Sequence, residues 1–215
     1  MSECAGVGVR GPALWMHRAA LDPHTGRTRA FGDRFAVQWH LSDACDASCR
    51  HCYREGTPRA GLDAAGRRAV LDEVVEFLGD LGLPGRIHFA GGEPLLCADL
   101  LPLVRRARER GLPSRVLTNG VHVERGLGRA LLDAGCVGVQ VSLEGPRDVH
   151  DGVRGAGSFD AATRGARVLA TEGMPVTLSM TLHQGNADAV EQLESLARGC
   201  AVRLYYSRLV PLGRA

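Results

Sequence analysis

The sequence predicts an α/β fold built on a parallel sheet of six strands joined by helices. Two observations carry this expectation. From Phe35 onward, short apolar runs alternate with longer segments of helical periodicity, and successive parallel strands need crossovers of about a dozen residues, usually helical. Gly, Asn or other polar residues follow most of the short runs, which places the functional loops at the carboxyl ends of the strands. Periodicity alone leaves two architectures open, a doubly wound sheet and a curved, barrel-like one.

Taken in order, Phe35–Leu41 (FAVQWHL) is the first strand. Over 61–81, Val70, Leu71, Val74, Val75, Leu78 and Leu81 recur at helical spacing, and Asp63 is the expected N-cap. Arg86–Ala90 is a strand ending in Gly91-Gly92. Asp99–Arg110 is a helix stopped by Gly111, and Ser114–Leu117 a strand ending at Thr118-Asn119-Gly120. Glu124–Ala134 is a helix stopped by Gly135, and Val137–Leu143 a strand followed by a polar loop. Ser158–Thr171 is a helix with Ser158 as N-cap, Pro175–Leu182 a strand, Ala187–Arg198 a helix and Val202–Val210 the last strand. Several strands read as nearly continuous apolar runs, as a sheet covered by helices requires. Residues 1–33, rich in Gly, Pro and Arg, are an irregular lead-in with a hairpin expected near Asp22–Gly26, and 34–215 form the core domain.

Composition narrows the function. The chain has 215 residues, 45% hydrophobic and 23% charged, enough for one sizeable core and typical of a globular protein. A formal net charge of +2 gives no reason to expect nucleic acid or a membrane surface as partner. All 26 basic residues are Arg, which excludes a P-loop lysine, a pyridoxal Schiff base and a lysine nucleophile. Ile87 is the sole isoleucine, so the bias is read as genomic and the Arg content as uninformative. Met1–Arg10 lacks the pattern of a secretory signal, and no apolar stretch approaches a membrane span, so a cytoplasmic protein is expected.

Seven cysteines in such a chain speak against a disulfide framework. Three are clustered as Cys45-x-x-x-Cys49-x-x-Cys52 directly after the first strand, while Cys4, Cys97, Cys136 and Cys200 are scattered. Three thiolates on one loop can converge on an iron–sulfur cubane and leave one iron open to a small molecule. A zinc site is the alternative, but zinc takes four ligands, no second CxxC exists, and His51 is awkwardly next to Cys52.

Downstream segments strengthen the iron–sulfur reading. Gly91-Gly92-Glu93-Pro94 follows the second strand, where glycines let the backbone approach a ligand closely. Ser142-Leu143-Glu144-Gly145-Pro146 ends the fourth strand, followed by His150-Asp151-Gly152-Val153-Arg154-Gly155 and Gly157-Ser158-Phe159. Val210-Pro211-Leu212-Gly213-Arg214 closes the last strand. Together with the cysteine loop, these segments resemble the radical S-adenosylmethionine (radical SAM) superfamily over about residues 35–214. Within it they are most similar to the peptide- and protein-modifying maturases that often carry a cysteine-rich SPASM extension.

The resemblance implies a partial (β/α)6 TIM-like barrel, ending here after the sixth strand. It implies a [4Fe-4S] cluster on Cys45, Cys49 and Cys52, with SAM chelated to the open iron. The SAM-binding residues it implies are Gly91, Gly92, Glu93, Ser142 and Arg154, with His51 and Val210 bordering the adenine. Thr118-Asn119-Gly120 matches a family segment of the same position. For Arg154 the alternative is a purely structural ion pair with Asp148 or Asp151. The implied activity is reductive cleavage of SAM to a 5′-deoxyadenosyl radical that abstracts hydrogen from a peptide or protein, with a flavodoxin or ferredoxin as electron donor. Cys97, Cys136 and Cys200 stand singly and do not form a SPASM set. A non-catalytic or truncated cluster-binding partner of a peptide-modification system is therefore the alternative function.

Overall fold

The computed structural model describes residues 34–54, 61–200, 203–209 and 213. The lead-in over 1–33, with Cys4, and Val210 with its two successors lie outside the described residues. Six strands, β1 (Phe35–His40), β2 (Gly85–Ala90), β3 (Ser114–Thr118), β4 (Cys136–Ser142), β5 (Val176–Leu182) and β6 (Arg203–Arg208), form one sheet in the order β1-β2-β3-β4-β5-β6. Every adjacent pair is parallel. The sheet is curled into a half-barrel, so the curved alternative holds and the doubly wound one does not.

The strands are less uniformly apolar than expected. Val37, Ile87, Phe89, Val116, Val139, Val141, Leu178 and Met180 are buried in the core. The residues that alternate with them, among them Gln38, Gln140 and Ser179, line a cavity on the concave side, and Tyr205 and Ser207 of β6 complete its wall. Period-two alternation thus separates a dry layer under the helices from a polar lumen.

The helices cover the convex side. In α1 (Ala64–Asp80) the Asp63 carboxylate accepts from Gly66 N–H at 2.7 Å, as the sequence predicts. Helix α2 (Leu100–Glu109) buries Leu100, Leu103, Val104 and Ala107, one stripe of a 3.6-residue period. Helix α3 (Leu127–Ala134) starts three residues later than expected, because Gly126 turns left-handed at φ 88°. The Glu172 carboxylate then caps it by accepting from Gly126 N–H (2.6 Å) and Gly128 N–H (2.8 Å).

Two corrections follow β4. The expected polar loop contains a helix, α4 (Arg147–Arg154), whose one buried residue is His150. The next helix, α5 (Ser158–Thr171), is not capped by Ser158. Asp151 does this from α4, accepting from Gly157 N–H (3.0 Å), Ser158 Oγ–H (3.1 Å) and Phe159 N–H (2.7 Å). Helix α6 (Val190–Cys200), entered through a short 3-10 turn, leads to β6. No helix among the described residues is long and apolar enough to cross a membrane.

Candidate active site

The loop after β1 carries the three cysteines and is stitched to the end of β2. Leu41 N–H donates to Ala90 O (3.0 Å), Gly92 N–H to Ser42 O (2.9 Å) and Glu93 N–H to Ala44 O (2.8 Å). Gly91, at φ 136°, and Gly92 lie so close to the Ser42–Ala44 carbonyls that a Cβ at either position collides with them. The glycines therefore let the backbone approach the cysteine loop itself, and both also line the cavity. The loop's far side docks on α4, where Arg50 N–H donates to Val153 O at 2.8 Å.

Cys49 is buried, and Cys45 and Cys52 are half-buried. Burial pushes the Cys45 thiol up, against the opposing Ala47 N–H. All three cysteines border one cavity of about 430 Å³ at the carboxyl ends of the strands, together with Gly91, Gly92, Ser142, Arg154 and His51. The structure thus brings most of the expected site residues together. Glu93 is not on the cavity wall, and Val210 is outside the described residues.

Glu93 is fully buried and its carboxylate is turned inward. It accepts from Leu95 N–H (3.0 Å), Thr118 Oγ1–H (2.7 Å) and Asn119 N–H (2.8 Å), knotting the β2 and β3 loops. Burial pushes its pKa up, and these neutral donors offset that only in part. The Asn119 amide donates to Asp46 at 2.8 Å, which ties the Thr118-Asn119-Gly120 turn to the cysteine loop.

The main residue that the sequence reading left without a role is Glu144. It is fully buried and gathers four donors. Arg154 Nε and Nη2 reach its Oε1 at 2.9 and 2.6 Å, His51 Nε2 lies 3.3 Å from the same oxygen, and Thr181 N–H donates to Oε2 at 2.8 Å. Burial pushes this carboxyl up, but His51, the Arg154 guanidinium and the Thr181 N–H reverse the effect and hold it at about 2. Arg154 is thus paired with Glu144 rather than with Asp148 or Asp151, and the fork face best suited to a second carboxylate is already taken. Its remaining arm, Nη1, points to Cys49 Sγ at 3.7 Å. Behind the pair, Glu144 N–H donates to His150 Nδ1 (3.0 Å), which fixes that imidazole as neutral at Nδ1.

The donor set suits an iron–sulfur cluster. Three thiols sit on one loop beside a partly buried cation, Arg154, which would compensate part of the negative charge that such a cluster carries. Among the described residues no three His, Cys, Asp or Glu side chains are grouped for a single metal ion. On the same cavity wall His51 Nδ1 is buried without a hydrogen-bond partner, a polar atom suited to meet a ligand edge.

Comparison with known proteins agrees with this geometry. The Radical SAM superfamily profile matches residues 39–197. The chain is 34% identical over 182 residues to Fe-coproporphyrin III synthase of Methanosarcina barkeri, covering 80% of this chain and 44% of that protein. It is 30% identical over 180 residues to mycofactocin maturase MftC of Mycobacterium ulcerans, covering 83% and 48%. Its fold matches that of Streptococcus suis SuiB bound to S-adenosylmethionine, with a TM-score of 0.71 at 14% identity over 82% of this chain and 41% of that one. The chain spans about half the length of the curated relatives it matches. With its six-stranded parallel half-barrel and its cysteine loop at the strands' carboxyl ends, this chain belongs to the radical SAM superfamily, whose characteristic cofactors are a [4Fe-4S] cluster and S-adenosylmethionine.

Proposed function

We propose that the cavity at the mouth of the half-barrel is the active site of a radical SAM maturase acting on a peptide or protein. One observation carries this: Cys45, Cys49, Cys52, Gly91, Gly92, Ser142, Arg154 and His51 line a single cavity. The cysteines hold the cluster. Gly91, Gly92, the Glu93 main chain, Ser142, Arg154, His51 and Val210 form the SAM-binding set. When bound, these cofactors supply one-electron cleavage of the SAM sulfonium and abstraction of a hydrogen atom from the substrate. The protein's part is to ligate, to orient and to shield the site from water. Residues 34–215 act as the core domain, in the cytoplasm, with 1–33 as a lead-in and a flavodoxin or ferredoxin as electron donor.

The lumen supports a peptide substrate. Gln38, Gln140, Ser179, Thr181 and Ser207 present neutral amide and hydroxyl groups to it, matched to the amides of a main chain. The mycofactocin maturase likeness points the same way. A second reading, a tetrapyrrole substrate, is favoured by the higher identity to Fe-coproporphyrin III synthase and by Arg208 on the cavity wall, a partner for a propionate.

The test is anaerobic reconstitution, then reduction in the presence of SAM. The expected result is about four irons per chain and release of 5′-deoxyadenosine. Ala at Cys45, Cys49 or Cys52 abolishes the iron, whereas Ala at Cys4 or Cys200 does not. A colourless zinc-loaded protein, or iron retained in the triple variant, overturns the proposal. Cluster and SAM binding without 5′-deoxyadenosine marks the non-catalytic partner instead. Stimulation of SAM cleavage by short peptides against iron coproporphyrin separates the two substrates.

A further inference from the structure

The Glu144–Arg154 pair is built more elaborately than a loop brace requires. Arg154 comes from the last turn of α4, and Glu144 from the residue pair just beyond β4. The guanidinium side chain is only 14% exposed, and the carboxylate 1%. Two arms of the guanidinium converge on one oxygen, Glu144 Oε1, while Thr181 N–H fixes the other oxygen to β5. The third arm is thereby aimed at Cys49 Sγ, 3.7 Å away. Arg50 N–H to Val153 O, at 2.8 Å, holds the cysteine loop against the same helix end, so the sulfur and the guanidinium are fixed to a common support.

We propose that Glu144 is a positioning residue that holds Arg154 Nη1 against the Cys49 sulfur, and that this contact raises the reduction potential of the cluster. The inference rests on the cluster-binding reading above. Hydrogen bonds and positive charge at a ligating sulfur stabilise the more negative, reduced form of an iron–sulfur cluster. The contact is part-buried, so water screens the charge less than it does at the open surface. Arg154 therefore acts on the cluster before SAM arrives, a role separate from any contact to a SAM carboxylate.

The readout is the cluster's midpoint potential, measured by EPR-monitored redox titration of reconstituted full chain without SAM. R154M is expected to shift the midpoint to more negative values by about tenfold in the reduction equilibrium, which is about 59 mV for one electron. E144D keeps the negative charge but withdraws the acceptor by one methylene. It is expected to shift the midpoint in the same direction, by less. R154K keeps a charge without the fork and is expected to lie between R154M and wild type. Iron content and melting temperature of each variant establish that like is compared with like. An R154M midpoint equal to wild type overturns the inference, even if SAM binding falls. A wild-type midpoint in E144D overturns the positioning role of Glu144. If wild-type protein assembles no cluster, the proposed function fails and this inference with it.

Discussion

Two glutamates occupy comparable places in this half-barrel, and they behave in opposite ways. Glu93 lies just beyond β2 and Glu144 just beyond β4, and both are fully buried. Glu93 meets only neutral donors, from Leu95, Thr118 and Asn119, and burial pushes it up. Glu144 meets Arg154 and His51 as well as a main-chain donor and is held at about 2. The contrast shows that burial does not set a carboxylate's state; the charge of its donors does. The first glutamate is a knot between loops, and the second is the counter-charge that makes a buried arginine possible.

The largest test of this contrast replaces each glutamate by its uncharged isostere. Glu144→Gln leaves the Arg154 guanidinium without a counter-charge and is expected to cost about 3 kcal/mol, the lower end for a broken buried pair. Glu93→Gln removes a charge that its surroundings already disfavour and is expected to cost about 1 kcal/mol. Urea unfolding of the two variants measures both, and equal costs would break the comparison.

Acid titration sharpens it. Between the ordinary 4.5 and about 2, the unfolded chain holds a proton at Glu144 that the folded chain lacks. Its contribution is thus present above pH 4.5 and lost as pH falls toward 2, about 3 kcal/mol in all. Glu93 has the opposite sign: above 4.5 the folded chain keeps a proton that the unfolded chain has released, so stability falls as pH rises through that window. His150 is pushed down to about 4, by burial first and Arg154 next, so its contribution is complete above 6.5 and lost as pH drops to 4. Unfolding free energy measured across the acid range is expected to lose the fall above pH 4.5 in Glu93→Gln. In Glu144→Gln it is expected to lose the steep fall below pH 4.5.

The same knot is tested from its other side at Thr118, whose hydroxyl donates to Glu93 at 2.7 Å. Because that hydroxyl also accepts from Gly120 N–H at 3.0 Å, Thr118→Val removes two hydrogen bonds and is expected to cost about 2 kcal/mol. It should leave the acid limb assigned to Glu144 unchanged. A change in that limb on pH titration of the variant would show the two carboxylates to be coupled.

The six strands and the three-cysteine loop were legible because each is a local signal: a short run between punctuating residues, or a fixed spacing on one loop. Asp63 was legible as a cap for the same reason. What stayed hidden depends on distant partners. Helix α4, Arg-Asp-Val-His-Asp-Gly-Val-Arg, has only two apolar positions apart from its glycine and buries a histidine, so no periodicity marks it. Helix α3 is capped by Glu172, more than forty residues downstream. Glu144 stood inside a motif read for its serine, and its four donors come from the cysteine loop, α4 and β5. Arg154 was legible as an anion-binding group, but the anion it holds here belongs to the chain itself.

Gly213 has one further consequence. Among the described residues β1 and β6 are the two margins of the sheet and do not pair. Yet Gly213, beyond β6, lies against the main chain of Cys52 and Tyr53 so closely that a Cβ there would overlap the carbonyl atoms. The sheet is open while the rim above it is clasped. Whatever immobilises the last cysteine also steadies the surface against which the chain beyond β6 packs. Filling the cysteine loop should therefore protect the amides of β6, at the opposite margin of the sheet, from hydrogen exchange.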